Sequence, residues 1–116
     1  MSLRITDLGP ARATPPAMSV VLSTYNQPAW LRKALLGYAH QTFRDFEVVV
    51  ADDGSKDETR EMLEALAADF PVPLRHVWHP DNGFQKCEIL NRASEAARAD
   101  YLVFSDGDCI PRADFL

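Results

Sequence analysis

The sequence predicts an α/β fold, with right-handed, Rossmann-like βαβ units around a mainly parallel sheet. Three observations predict it. Short apolar runs of strand length recur at 18–23, 46–51, 74–78 and 101–104. Between them lie segments whose apolar residues repeat at helical spacing. Proline, glycine and asparagine cluster where one kind of segment gives way to the next. At 116 residues, the chain fits one domain of modest size.

The elements follow in order. Residues 1–17 carry three prolines and little periodicity, and are expected to form a flexible leader, with 18–116 as the domain. MSVVLS, Met18 to Ser23, suits a strand buried on both faces. Gln27 stands where a helix cap is expected, with Pro28 at the first helical position, where a missing N–H does no harm. Trp30, Leu31, Ala34, Leu35 and Tyr38 then give one apolar face. FEVVVA, Phe46 to Ala51, is rich in β-branched residues and predicts the second strand. Ser55 and Glu58 have the spacing of a capping box, followed by the stripe Met62, Leu63, Leu66 and Phe70. Pro71 ends that helix, and Leu74 to Trp78 is the third strand. After the turn Pro80-Asp81-Asn82-Gly83, a helix from about Phe84 turns Ile89, Leu90, Ala93 and Ala97 inward. Tyr101 to Phe104 is the fourth strand. Ile110 to Leu116 reads as the opening of another element, so the domain is expected to be truncated at its C-terminus.

Composition narrows the function classes. Hydrophobic residues make up 47% and charged ones 25%, as in ordinary soluble domains, and the net charge of -5 argues against a duplex nucleic-acid partner. No run reaches the roughly 20 apolar residues of a membrane span, so the expected location is cytoplasmic, with any membrane association arising from segments outside this chain. Cys87 and Cys109 lack CxxC spacing and read as free thiols. His76 and His79 form an HxxH without the further ligands that zinc needs.

In an open parallel sheet, ligands bind beyond the carboxyl ends of the strands. There this sequence puts Ser23, Thr24, Tyr25 and Asn26, then Asp52 and Asp53, then Asp81, and finally Asp106-Gly107-Asp108. Carboxylates one residue apart repel each other, and something must offset that cost. Mg²⁺ and Mn²⁺ are commonly held by one or two carboxylates together with substrate phosphates, which makes a divalent cation on a diphosphate the expected answer. Gly107 is expected to let the backbone turn and a phosphate approach closely.

SVVLSTYNQPAWLRKAL, QTFRDFEVVVADDGSKDET and DNGFQKCEILNRASEAARADYLVFSDGDCIPRADFL together resemble the nucleotide-binding half of family 2 glycosyltransferases with the GT-A fold. The resemblance runs from about Ser19 to Leu116. It implies an enzyme that moves a sugar from a nucleotide-diphosphate donor, first of all a UDP-sugar, to a glycan or other hydroxyl acceptor, with inversion. It further implies that Ser23, Tyr25, Asp52 and Asp53 surround the nucleoside, that Asp106 faces the ribose and metal, and that Asp106 and Asp108 hold Mn²⁺ or Mg²⁺. The catalytic base of the family is expected beyond Leu116.

Leu90 stands where relatives often carry an arginine. Lys86 is the expected replacement cation, ahead of Arg92. Two alternatives remain at this level. One is a non-catalytic nucleotide-binding module, and the other an α/β enzyme of the DxD phosphatase type. In that phosphatase class the DxD follows the first strand, whereas here it follows the fourth. Neither GxGxxG nor a P-loop is present, which excludes the common dinucleotide and triphosphate sites.

Overall fold

The apolar runs become the strands β2 (Met18–Thr24), β3 (Phe46–Asp52), β4 (Leu74–Trp78) and β5 (Tyr101–Asp106) in the computed structural model, which describes residues 2–116. A further strand, β1 (Arg4–Leu8), precedes them, and the sheet order is β1-β4-β3-β2-β5. The pairs β2–β3, β3–β4 and β2–β5 are parallel, and β1–β4 is antiparallel. The period of two along a strand sorts the core into two layers. Val20 and Leu22 pack with Leu31, Leu35 and Tyr38 of α1 (Pro28–Ala39) and Leu63 of α2 (Asp57–Ala67). Val21 and Val49 pack on the opposite face against Ile89 and Ala93 of α3 (Lys86–Ala96). Every residue of β3 is buried, as expected for the strand at the middle of the sheet. Among the described residues, no helix is long and apolar enough to cross a membrane.

The topology creates a crevice. From β2 the chain steps outward to β3 and then β4, and α3 carries it back to the other side of β2, where β5 pairs. The order reverses at β2, so the loops leaving β2 and β5 diverge, and a ligand can enter between them.

Three expectations need correction. The leader is not loose throughout: Arg4–Leu8 pairs with β4 from Leu8↔Leu74 to Arg4↔Trp78, while Met1 lies outside the described residues. Charge holds this strand where apolar burial does not. The Arg4 guanidinium lies 4.3 Å over the Trp78 ring, and Asp7 accepts from Arg75 at 2.6 Å and Arg98 at 3.2 Å. The capping box does not form, because α2 begins at Asp57 with Lys56 as its N-cap and no side-chain cap bond. The Ser55 Oγ instead accepts from the Asn26 N–H at 2.8 Å and ties together the turns after β2 and β3. The third helix starts at Lys86, leaving Phe84 on the surface ahead of it.

Candidate functional site

Each side of the crevice is built by local chemistry. After β2, Asn26 adopts φ +49°, a conformation that asparagine tolerates, and its Oδ1 accepts the Lys56 N–H at 2.8 Å. After β3, Gly54 takes φ +82°, and a Cβ there would stand 2.4 Å from the Asp81 backbone nitrogen. The loop after β4 therefore closes directly onto the loop after β3. After β5, the Gly107 N–H donates to the Ser23 carbonyl at 2.7 Å, which clamps the DxD turn to the end of β2.

Between these loops lies an open cleft of about 500 Å³, within the range of small-ligand sites. Ser23, Tyr25, Asp53, Lys86, Asp106 and Asp108, all singled out from the sequence, line it together with Asp81 and Phe84. Asp52 does not. It is fully buried beside the cleft, with its Oδ1 accepting the Ser55 N–H at 2.9 Å and its Oδ2 bonded to His76 Nε2 at 2.7 Å. The reason is strand pleat: successive side chains leave β3 on opposite faces, so only one member of the Asp-Asp pair can enter the cleft.

Asp53 is held as firmly as its neighbour. Its Oδ1 is 2.6 Å from His79 Nε2, and its Oδ2 accepts the Gln85 N–H at 2.9 Å. His79 is buried, and its Nδ1 has no hydrogen-bond partner. Sequence reasoning missed both histidines as partners of this pair, reading them only as a metal spacing. The available signal was the need of two adjacent, strand-end carboxylates for buried donors.

At the other wall, Asp106 Oδ1 accepts from Ser23 Oγ at 3.0 Å and from Lys86 Nζ at 2.9 Å. The lysine, and secondarily the serine, hold the Asp106 carboxyl below its ordinary value. Tyr25 donates its hydroxyl to Asp81 Oδ2 at 2.8 Å, and that carboxylate pushes the phenol above its ordinary value. Asp106, Asp108 and Cys109 bring one potential ligand atom each to within 4.8 Å of one another, all exposed. Leu90, partly buried, packs against the core beside Ile89 and carries no charge, and Arg92 pairs with Glu88 at 3.0 Å and does not line the cleft. Among the described residues, four carboxylates and one ammonium line the cavity. Gly107 lines the cleft, and its absent side chain also makes room for the Ser23 carbonyl, Leu31 and Thr24.

Carboxylates elsewhere serve the fold. Buried Glu47, at the far end of the sheet, accepts from Ser19 Oγ at 2.6 Å and the Arg98 N–H at 2.7 Å. The crevice, by contrast, gathers Asp53, Asp81, Asp106 and Asp108 around open space.

Comparison with known proteins agrees with this geometry. The family model described as Glycosyl transferase family 2 matches residues 19–116. The chain is 38% identical over 93 residues to validoxylamine A glucosyltransferase of Streptomyces hygroscopicus subsp. jinggangensis, covering 78% of this chain and 22% of that protein. Chondroitin synthase of Escherichia coli is 34% identical over 95 residues, covering 81% of this chain and 14% of that one. Among solved structures, S. aureus TarS 1–349 in complex with UDP-GlcNAc superposes with a TM-score of 0.73 at 28% identity, over 83% of this chain and 28% of that one. The mannosyltransferase PcManGT from Pyrobaculum calidifontis, solved with GDP-Man and Mn²⁺, shares the fold, with a TM-score of 0.72 at 24% identity over 91% of this chain and 32% of that chain. The chain thus spans about a quarter or less of the curated relatives it matches first. With its doubly covered parallel sheet, its crevice at the point of reversal and a family match over nearly all of its length, the chain belongs to glycosyltransferase family 2.

Proposed function

We propose that this domain binds a nucleoside diphosphate sugar in the crevice and that the whole protein transfers the sugar to an acceptor hydroxyl with inversion. The observation that carries the reading is the convergence of Ser23, Tyr25, Asp53, Lys86, Asp106 and Asp108 on one cleft at the reversal of strand order. Asp53, fixed by His79 and the Gln85 N–H, keeps lone pairs for an N–H of the base. Tyr25, half exposed at the rim, offers a ring face for the base to stack on. Asp106, tied by Ser23 to the end of β2, stands where a ribose hydroxyl can donate to it.

The cleft is too acidic for a diphosphate alone, with four carboxylates facing one ammonium. Exposed hard oxygens on Asp106 and Asp108 fit Mn²⁺ or Mg²⁺, which take carboxylates plus substrate phosphates. Bound there, the cation would neutralise the departing diphosphate. The chain's own contribution is to hold the donor so that its anomeric carbon projects from the open side of the cleft. The group that deprotonates the acceptor is proposed to come from outside these residues. TarS has been solved with UDP-GlcNAc and with UDP, which makes uridine the first base to try.

Thermal unfolding with UDP, GDP, dTDP, CDP and ADP, each with and without Mn²⁺, tests the reading. A ligand at one hundred times its dissociation constant stabilises by about 2.7 kcal/mol, several degrees for a domain of this size. The expected result is one nucleotide whose shift needs Mn²⁺ and disappears in Asp108→Ala. A metal-independent shift unaffected by that substitution would refute the metal-dependent donor site.

A further inference from the structure

We infer that Lys86 couples metal binding to nucleotide binding by exchanging partners. It neutralises Asp106 while the cleft holds no ligand, and gives its ammonium to the diphosphate when nucleotide and cation bind together. The inference rests on the donor-site reading above and assigns this lysine a role that reading does not require.

Three features of the chain support the exchange. First, Lys86 Nζ and Ser23 Oγ both donate to Asp106 Oδ1, so the oxygen nearest the β2 end is already satisfied. A cation arriving alone meets a carboxylate pair whose net charge is halved. Second, the ion pair is exchangeable. The Lys86 and Asp106 side chains are 41% and 56% exposed, and such a pair contributes little to stability, so it breaks at low cost. An ammonium on a four-carbon stem can turn to a new acceptor without moving the helix. Third, Lys86 is the one cation lining the cleft among the described residues, and Arg92 is held by Glu88 outside it. A diphosphate in this cleft has one ammonium to attract, and attracting it frees Asp106 for the cation.

Linkage then fixes the thermodynamics. If the nucleotide raises the affinity for the cation by some factor, the cation raises the affinity for the nucleotide by the same factor. Part of that factor is direct contact between cation and phosphate. The part carried by the lysine is removable by mutation, and it has a distinctive sign: loss of the lysine helps the cation alone and harms the nucleotide.

The test is free Mn²⁺ measured by electron paramagnetic resonance, titrated into the chain with and without saturating UDP, and again with GDP. It is run on the wild type, Lys86→Met and Lys86→Arg. Lys86→Met should bind Mn²⁺ alone up to about tenfold more tightly at low salt, the scale of removing one positive charge a few ångströms from a divalent ion in a water-like dielectric. The same variant should bind the nucleotide more weakly in the presence of Mn²⁺, so the coupling factor falls. Lys86→Arg keeps the charge and should retain most of the coupling. If Lys86→Met leaves the affinity for Mn²⁺ alone unchanged or weakens it, while nucleotide still raises Mn²⁺ affinity in the wild type, the exchange is wrong and the donor site stands. If neither these nor dTDP, CDP or ADP changes Mn²⁺ affinity in the wild type, both fall together.

Discussion

Replacing Gly107 by alanine tests whether the packing of the sheet and the geometry of the cleft are one problem. Gly107 is buried between the ends of β2 and β5. An added Cβ would sit 2.7 Å from the Ser23 carbonyl oxygen, 3.2 Å from Leu31 Cδ1 and 3.3 Å from Thr24 Cβ. Real Cβ contacts essentially never fall below 3.0 Å, so the two strand ends must part by about 0.3 Å or more. The nearest atom belongs to the backbone and cannot rotate away. The Gly107 N–H bond to that same carbonyl stretches first. Overpacking of this kind costs about 1–3 kcal/mol. At roughly 4 °C per kcal/mol for a domain of this size, Tm should fall by about 4–12 °C. The shift moves Asp106 away from Ser23 Oγ, so Mn²⁺-dependent nucleotide affinity should drop about tenfold, equivalent to about 1.4 kcal/mol. Thermal melts and nucleotide titration at a temperature where the variant is folded read the two effects separately. Wild-type Tm would refute the packing argument. A lowered Tm with unchanged affinity in the folded variant would refute the link between the strand ends and the site.

Two further outcomes follow from the buried pairs and the edge strand. His79→Phe strips the hydrogen-bond partner from Asp53 Oδ1 and leaves a buried carboxylate oxygen short of one, a loss of about 1–3 kcal/mol in urea unfolding; His79→Gln, which offers an amide N–H, should recover part of it. Equal losses in the two variants would mean that ring packing, not the hydrogen bond, is what His79 provides. Asp7 is held below its ordinary 3.8, first by the Arg75 hydrogen bond, so it is less protonated in the folded than in the unfolded chain. Its contribution is therefore complete above that value and lost as pH falls through the folded pKa. Amide protection in β1 should weaken as pH falls below the ordinary 3.8 in the wild type, and should already be weak and flatter with pH in Asp7→Asn.

β2 and β3 were legible because burial on two faces writes itself as unbroken apolar sequence, whereas β5, an edge strand, is read from an apolar run that stays largely exposed. Leu74–Trp78 is read with its observed bounds, and β2 and β3 each end one residue later than their apolar runs suggest. β1 was illegible for the opposite reason. RITDL buries almost nothing, and what holds it comes from Arg75, Trp78 and Arg98, some seventy to ninety residues away. The same distinction divides the site. Carboxylates at strand ends could be placed on one edge from the element order alone. Choosing between Asp52 and Asp53 needed the pleat of β3, and finding His76 and His79 as their partners needed the register of β4 against β3. Ser55 looked like a cap by its local spacing, yet its hydroxyl was claimed by the Asn26 N–H of the neighbouring turn after β2. Local rules lost wherever two loops from different strands had to meet.

Nucleotide and cation are proposed to share the crevice at the strand reversal. Amide resonances of the ¹⁵N-labelled chain, followed during titration with UDP and GDP and then with trace Mn²⁺, test it most directly. Shifts are expected at Thr24–Asn26, Asp53–Ser55 and Asn82–Lys86, with nucleotide-dependent paramagnetic broadening centred on Asp106–Cys109. Broadening centred on another acidic surface, such as the Asp57 and Glu64 side of α2, or nucleotide shifts that spare the ends of β2 and β3, would contradict it.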